Sequence, residues 1–221
     1  MVDPYQGEEN RMIKAVLFDF GNTLALFDVN VEELDRDTFQ FLLREGYQVS
    51  YDDFIDVMEK IRGERAELYR SHIELPTEQM YTRLLLGLGI PAPRSLIDKL
   101  HTLYCQHFTY QVRPETEEVL EELRRRFKLG VVSNSTSLAP LHILRETKLD
   151  RYFTLILLSR DIGIRKPHPA IFQYSLQSLA VRADETVFVG DSVEHDVEGA
   201  RKVGIRAIWL KNKGEASREG V

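Results

Sequence analysis

Five short apolar runs constrain this chain more than any other feature: IKAVLFD (13–19), KLGVVS (128–133), YFTLILLS (152–159), TVFVG (186–190) and IRAIWL (205–210). Each is nearly continuous in apolar residues and is closed by turn formers, as expected of a strand buried on both faces. Helical patterns separate the later runs. PETEEVLEELRRRF (114–127) carries proline at a first helical position and acids in its first turn, and PAIFQYSLQSLA (169–180) and VEGARKVG (197–204) follow. Strands alternating with helices predict an α/β fold, a doubly wound parallel sheet covered on both faces.

The stretch between the first run and the second reads differently. Residues 31–110 show no strand pattern and four helical stretches, near 31–45, 51–69, 78–88 and 94–108. The clearest has Tyr51, Phe54, Ile55, Met58, Ile61, Leu68 and Tyr69 at helical spacing. Breaks fall at EGYQ, LPT and GLGIPAP. The pattern predicts a helical-bundle module, residues 29–111, inserted into an α/β core formed by 12–28 and 112–210. Its hinges would be FDVN (27–30) and YQVRP (110–114), and the ends, 1–11 and 211–221, are expected to be loosely held.

Composition excludes some partners. Net charge is −6 with 29% charged residues, so no global basic field draws in nucleic acid, and the arginines of LRRRF (123–127) read as a solvated helix end. No apolar run approaches the roughly 18 residues that cross a bilayer, so no membrane partner is expected. The opening MVDPYQGEEN is unlike a secretory signal, and the single Cys105, in an apolar helical pattern, reads as packing. Together these predict a cytoplasmic chain, and they set no oligomeric state.

In open parallel sheets, ligands bind beyond the carboxyl ends of the strands, so the residues leaving these runs are read together. The first run ends on Asp19, the second on Ser133 followed by Asn134, and the run at 186–190 leads into GDSVEHD, with Asp191 and Asp196. Lys166 lies in IGIRKPHP, against Pro167. Singly, each has a plain structural role as a turn or helix cap, a loop cation or a first-turn acid. Gathered on one edge of one sheet, they point to a site. Asp19 and Asp191 suit a hard divalent cation that keeps several waters, as Mg2+ does. Ser133 offers a hydroxyl, and Lys166 a point charge, to the oxygens of a phosphoryl group. Asp19 is then the candidate nucleophile, forming an aspartyl-phosphate that water hydrolyses.

The set resembles the haloacid dehalogenase superfamily, most of whose members are Mg2+-dependent phosphatases with a Rossmann-like core. Its first motif, Asp-x-Asp-x-(Thr/Val), is met by DFGNT except at the second Asp. The second motif is LGVVSN, the third is the lysine of RKPHPAIF, and the fourth is GDSVEHD. The helical insertion stands where that family places a cap. The resemblance implies that Asp19 is nucleophile and metal ligand, that Gly21 gives its backbone carbonyl to the metal, and that Asp191 is the other protein ligand. It implies a supporting role for Asp196 beside the metal and phosphate binding by Ser133 and Lys166, with Asn134, Asn22 and Thr23 assisting.

The departure is Gly21. In the family's phosphatases the second Asp protonates the leaving alcohol and then activates water, a role worth about 10² to 10⁴ in rate. A phosphatase acting on a good leaving group, in an acyl, anomeric sugar or aryl phosphate, depends on it least. His72, His101, His107 and His195 are candidate proton donors, with His107 read as packed and His195 as solvent-facing. A metal-independent 2-haloacid dehalogenase also lacks the second Asp, because halide leaves unprotonated, but it does not keep the Gly-Asp of the fourth motif. A phosphonoacetaldehyde-hydrolase-like enzyme needs a cap lysine, and only Lys60 and Lys99 stand in the insertion. A catalytically weak binding or regulatory protein of the same fold is the non-enzymatic reading. The retained metal and phosphate positions favour the first: a Mg2+-dependent phosphatase for a small-molecule phosphorylated substrate.

Overall fold

The computed structural model describes residues 12–211. A five-stranded parallel sheet is built from β1 (Ala15–Phe18), β4 (Lys128–Ser133), β5 (Leu155–Leu158), β6 (Thr186–Gly190) and β7 (Arg206–Trp209), in the order β5-β4-β1-β6-β7. All four pairings are parallel, as the apolar runs predict. Strand β1 is the first in sequence and lies at the centre, so the chain winds outward in both directions from it. That places the switch in winding, where ligands of such sheets bind, at the end of β1.

Side chains alternate across the sheet and divide the core in two. Val16 and Phe18 of β1 pack with Leu129 and Val131 of β4, with Leu120 of α5 (Thr116–Arg124), and with Ile143 and Leu144 of α6 (Ala139–Glu146). Ala15 and Leu17 face the other side, with Val132, Phe188, Ile171 and Phe172 of α8 (Pro169–Leu179), and Ala200 of α9 (Gly199–Lys202). The short α7 (Ser159–Ile162) follows β5 directly. Asp19 continues the phase of Ala15 and Leu17, and its N–H donates to the Val189 carbonyl at 2.9 Å.

Four helices fill most of the insertion: α1 (Val31–Arg44), α2 (Tyr51–Arg70), α3 (Thr77–Gly87) and α4 (Arg94–Gln106). Asn30 and Ser50 cap the first two through their side-chain oxygens, accepting from the N–H of Glu33 and Asp53. The helices bury their own core, with Leu42, Phe54, Ile61, Leu84 and Leu100 among its members. The apolar face of α2 foreseen from its spacing supplies Phe54, Met58 and Ile61, whereas Tyr51 is exposed.

The connections into and out of this module are not bare hinges. Strands β2 (Ala25–Val29) and β3 (Phe108–Val112) pair antiparallel, from Ala25 opposite Val112 to Val29 opposite Phe108. The sequence pattern extends the last helix to 108 and gives no sign of β3, whereas α4 ends at Gln106. FTYQV alternates between half-buried and exposed positions and lacks the continuous apolar character of the main strands. The helix expected at 197–204 is also different: a π-helical turn, Val193–Glu198, precedes a short α9. Apart from Lys211, the ends expected to be loosely held lie outside the described residues. No helix among the described residues is long and apolar enough to cross a membrane.

Candidate active site

The carboxyl ends of β1, β4 and β6 bring Asp19, Ser133 and Asp191 to one recess of about 160 Å³. Gly21, Asn22, Asn134, Lys166 and Asp196 also line it. Of the residues foreseen for the site only Thr23 is not in the lining. It is buried, and its hydroxyl has no hydrogen-bond partner among the described residues.

Lys166 is the electrostatic centre. Its ammonium is 2% exposed and donates to Asp19 Oδ1 and Asp196 Oδ1, each at 2.6 Å. Its backbone is held as firmly. Asn134 Oδ1 accepts from the Lys166 N–H at 2.7 Å, while Asn134 Nδ2 donates to the Lys166 carbonyl at 3.0 Å. The Asn134 side chain therefore uses both polar ends to position Lys166, one hydrogen bond at each, which leaves the second Nδ2 N–H free to donate. The loop before Lys166 is braced by the helical module. Arg165 N–H donates to the His72 carbonyl at 3.0 Å and Glu74 N–H to that of Gly163 at 2.9 Å. The buried Glu74 carboxylate accepts from Ser159 Oγ at 2.5 Å and lies 3.5 Å from the Arg165 guanidinium.

Two glycines set how closely groups approach. A Cβ on Gly190 would overlap the Asp196 carboxylate, so the glycine of GDSVEHD lets that acid fold back over the strand end. There Asp196 Oδ2 accepts from the Ser192 N–H at 2.9 Å. A Cβ on Gly21 would overlap the ring of Phe27, which also lines the recess. Asn22 sits between in the left-handed region at φ 55°, a conformation asparagine tolerates, and its carbonyl accepts from Arg113 at 2.6 Å.

One oxygen from each of Asp19, Asp191 and Asp196 lies within 4.8 Å of the others. Burial, with Asp196 and Asp191 nearby, pushes the Asp19 carboxyl up from 3.8 to about 6, against the opposing pull of Lys166. Burial and Asp196 also raise Asp191, against a hydrogen bond from Asn22. Burial alone would lower Lys166, but its two carboxylate partners outweigh that and hold its ammonium above the usual lysine value. Three acids facing one lysine leave negative charge in excess. An all-oxygen, acidic donor set with uncompensated charge fits a hard divalent cation.

Of the four histidines weighed, only His195 lines the recess. It is half-buried rather than solvent-facing, burial lowers its pKa, and its Nδ1 is a buried nitrogen without a partner among the described residues. His101 lies between Glu78, at 3.1 Å, and Arg160, at 3.3 Å. His107 pairs with Asp37 at 3.2 Å, and His72 meets the His168 ring. Lys99 pairs with Glu45 at 2.8 Å and Lys60 is exposed on α2, so neither lysine of the insertion reaches the site. Phe27, Ser192 and His195 are lining residues that the strand-end pattern did not select. Ser192 and His195 were within reach of it, being part of GDSVEHD, whereas nothing in the sequence announces Glu74 as a buried brace.

Comparison with known proteins points to one family. A family model for haloacid dehalogenase-like hydrolases matches residues 13–204. A glyceraldehyde 3-phosphate phosphatase of Methanocaldococcus jannaschii is 26% identical over 203 residues, covering 90% of this chain and 85% of its own. A phosphoserine phosphatase of Thermus thermophilus is 33% identical over 120 residues, 54% of this chain and 48% of its own. Among solved structures, a 2-haloacid dehalogenase of Pseudomonas syringae pv. tomato superposes with a TM-score of 0.73 at 28% identity, covering 95% of this chain and 92% of its own.

Proposed function

The chain belongs to the haloacid dehalogenase-like hydrolase family and is a phosphatase of that family; we propose that it hydrolyses a small-molecule phosphate ester with Mg2+, through an aspartyl-phosphate on Asp19, with Gly21 in place of the usual general acid. One observation carries this reading: a buried lysine held between Asp19 and Asp196, with Asp191 beside them, lining a recess that Ser133 also lines.

Asp19, Asp191 and the Gly21 carbonyl would hold Mg2+, with Asp196 supporting them. When bound, the ion supplies charge neutralisation, so that an anionic phosphate can approach an anionic nucleophile. The Ser133 hydroxyl and the Lys166 ammonium bind phosphoryl oxygens, assisted by the backbone around Asn22, Thr23 and Asn134. The Asp19 carboxylate attacks phosphorus while the ester P–O bond breaks, and the leaving oxygen departs with the electron pair. Water then attacks phosphorus, regenerating Asp19 and releasing inorganic phosphate. The helical insertion, residues 29–111, acts as a cap on the leaving-group side, joined to the core through the β2–β3 ribbon.

The test is a release screen over aryl, acyl, sugar and nucleotide phosphates, with and without Mg2+, run beside halide release from 2-chloropropionate. Mg2+-dependent phosphate and no halide is the expected result. The likeness to a 2-haloacid dehalogenase and the missing acid at position 21 favour dehalogenation as the second reading. Halide without phosphate would install it, although that reaction leaves the clustering of Asp191 and Asp196 with Asp19 unused.

Metal binding has a readout apart from activity. A carboxyl raised from 3.8 to about 6 on folding binds more protons folded than unfolded across that interval. Its contribution to stability is therefore full below pH 3.8 and lost as pH rises through about 6. A divalent cation offsets the resulting anionic charge. At pH 7.5, Mg2+ at about a hundredfold excess over its Kd is expected to raise Tm by roughly 5 °C or more. At pH 5, where protons compete for Asp19, the shift should shrink. Equal shifts at both pH values, seen by calorimetry, would place the ion away from Asp19.

A further inference from the structure

An aromatic ring occupies the space that a side chain at position 21 would need. A Cβ there would overlap Phe27 Cε1 and stand 3.2 Å from Cζ. The Phe27 ring stacks on Phe20, with centroids 6.4 Å apart and planes at 28°, and tilts against Phe108 at 5.9 Å. Phe108 in turn meets Tyr104 at 5.3 Å. The ribbon register fixes this arrangement, because Phe27 pairs with Tyr110 and Val29 with Phe108, leaving the two phenylalanines diagonal neighbours. Yet Phe27 is 41% exposed and belongs to none of the buried clusters. It lines the same recess as Asp19, Ser133 and Lys166.

We propose that Phe27 is a specificity-determining residue: the ring that a side chain at position 21 would have to displace is also the surface on which the leaving group packs. It selects phosphate monoesters of planar, aromatic alcohols over simple alkyl phosphates. The inference rests on the phosphatase reading above. Its two halves share one cause. An aryl ester loses its leaving oxygen as a phenolate: the P–O bond breaks, the oxygen keeps the electron pair, and it takes its proton from solvent afterwards. No acid at position 21 is needed. An alkyl ester would leave as a far more basic alkoxide, which requires a proton in the transition state. The ring gives an aryl group a face for offset stacking and gives a methyl group little.

The test separates binding from turnover. Calorimetry on Asp19→Asn is expected to show phenyl phosphate binding about tenfold more tightly than methyl phosphate, and adding Phe27→Ala should erase the difference. With Asp19 intact, Gly21→Asp alone is expected to raise turnover of methyl phosphate far less than the double variant does, because the new side chain must first displace the Phe27 ring. Gly21→Asp with Phe27→Ala is expected to raise it about 10²-fold, as a positioned acid does. Equal binding of the two esters, or a gain from Gly21→Asp alone that matches the double variant, overturns the proposal. Phosphate release from neither p-nitrophenyl phosphate nor methyl phosphate by the wild type overturns the phosphatase reading instead. The calorimetric pair then still decides whether the ring selects.

Discussion

Asp19→Asn is expected to lower Mg2+-dependent phosphate release by about 10⁴-fold or more, the order of loss when a covalent nucleophile is removed. The exchange is nearly isosteric, so the fold should survive it. Lys166 keeps Asp196 as its partner at 2.6 Å, and the neutral amide oxygen can still accept from the ammonium. Folding itself disfavours the Asp19 carboxylate, since burial carries the pKa to about 6. Neutralising it should therefore leave the metal-free protein at least as stable at pH 7.5 as the wild type. Loss of activity with an unchanged or higher Tm is the combination that singles out a nucleophile. A variant retaining activity within tenfold of wild type would remove Asp19 from that role.

What could be read from the residues alone follows a physical division. Strands buried on both faces must be apolar throughout, so AVLF, KLGVVS, LILL and TVFVG declared themselves, and their alternation with helices implied the parallel order that is found. The β2–β3 ribbon is solvated at Leu26, Phe27 and Asp28 and has no such signature. The π-helical turn at Val193–Glu198 was invisible for a related reason, because a 3.6-residue period does not describe it. That turn carries His195 and brings it into the recess, although its place in a polar loop predicts a solvent-facing side chain.

The site divides the same way. Strand-end chemistry could nominate Asp19, Ser133, Lys166 and Asp191, because the topology alone brings strand ends together. Partnership could not be read. That the Asn134 side chain clasps the Lys166 backbone, and that Glu74 braces the loop before it, depends on tertiary contacts between segments far apart in sequence. The closest miss joins two residues six positions apart. DFGNTLALF holds both Gly21 and Phe27, but only the chain reversal, in which Asn22 N–H donates to the Ala25 carbonyl, folds the ring back over the glycine.

Lys166→Met should have the largest effect on stability. Methionine approximates the volume of the lysine stem, so packing changes little while the ammonium is lost. Asp19 and Asp196, 8% and 1% exposed, then face each other without the cation that both contact. Removing one partner from a buried charge cluster costs about 3–5 kcal/mol, because the remaining charge has neither water nor a counterion. The carboxyls can escape part of that cost by taking up a proton, which pushes the Asp19 pKa above its already raised value. A folded-state carboxyl pKa raised above the unfolded one destabilises as pH rises through it. The loss should therefore be large at pH 8 and much smaller at pH 5, with Mg2+ restoring part of it at the higher pH. Urea unfolding at both pH values decides the matter: an equal loss at pH 5 and pH 8 would assign it to packing and not to unpaired charge. The same experiment bears on function, because in the free enzyme the ammonium already serves Asp19 and Asp196. A phosphoryl group entering the recess must share that charge with them, so a cation beside Asp191 and Lys166 in the recess act on one pool of negative charge. Without both, the fold at neutral pH and the approach of an anionic substrate meet the same obstacle.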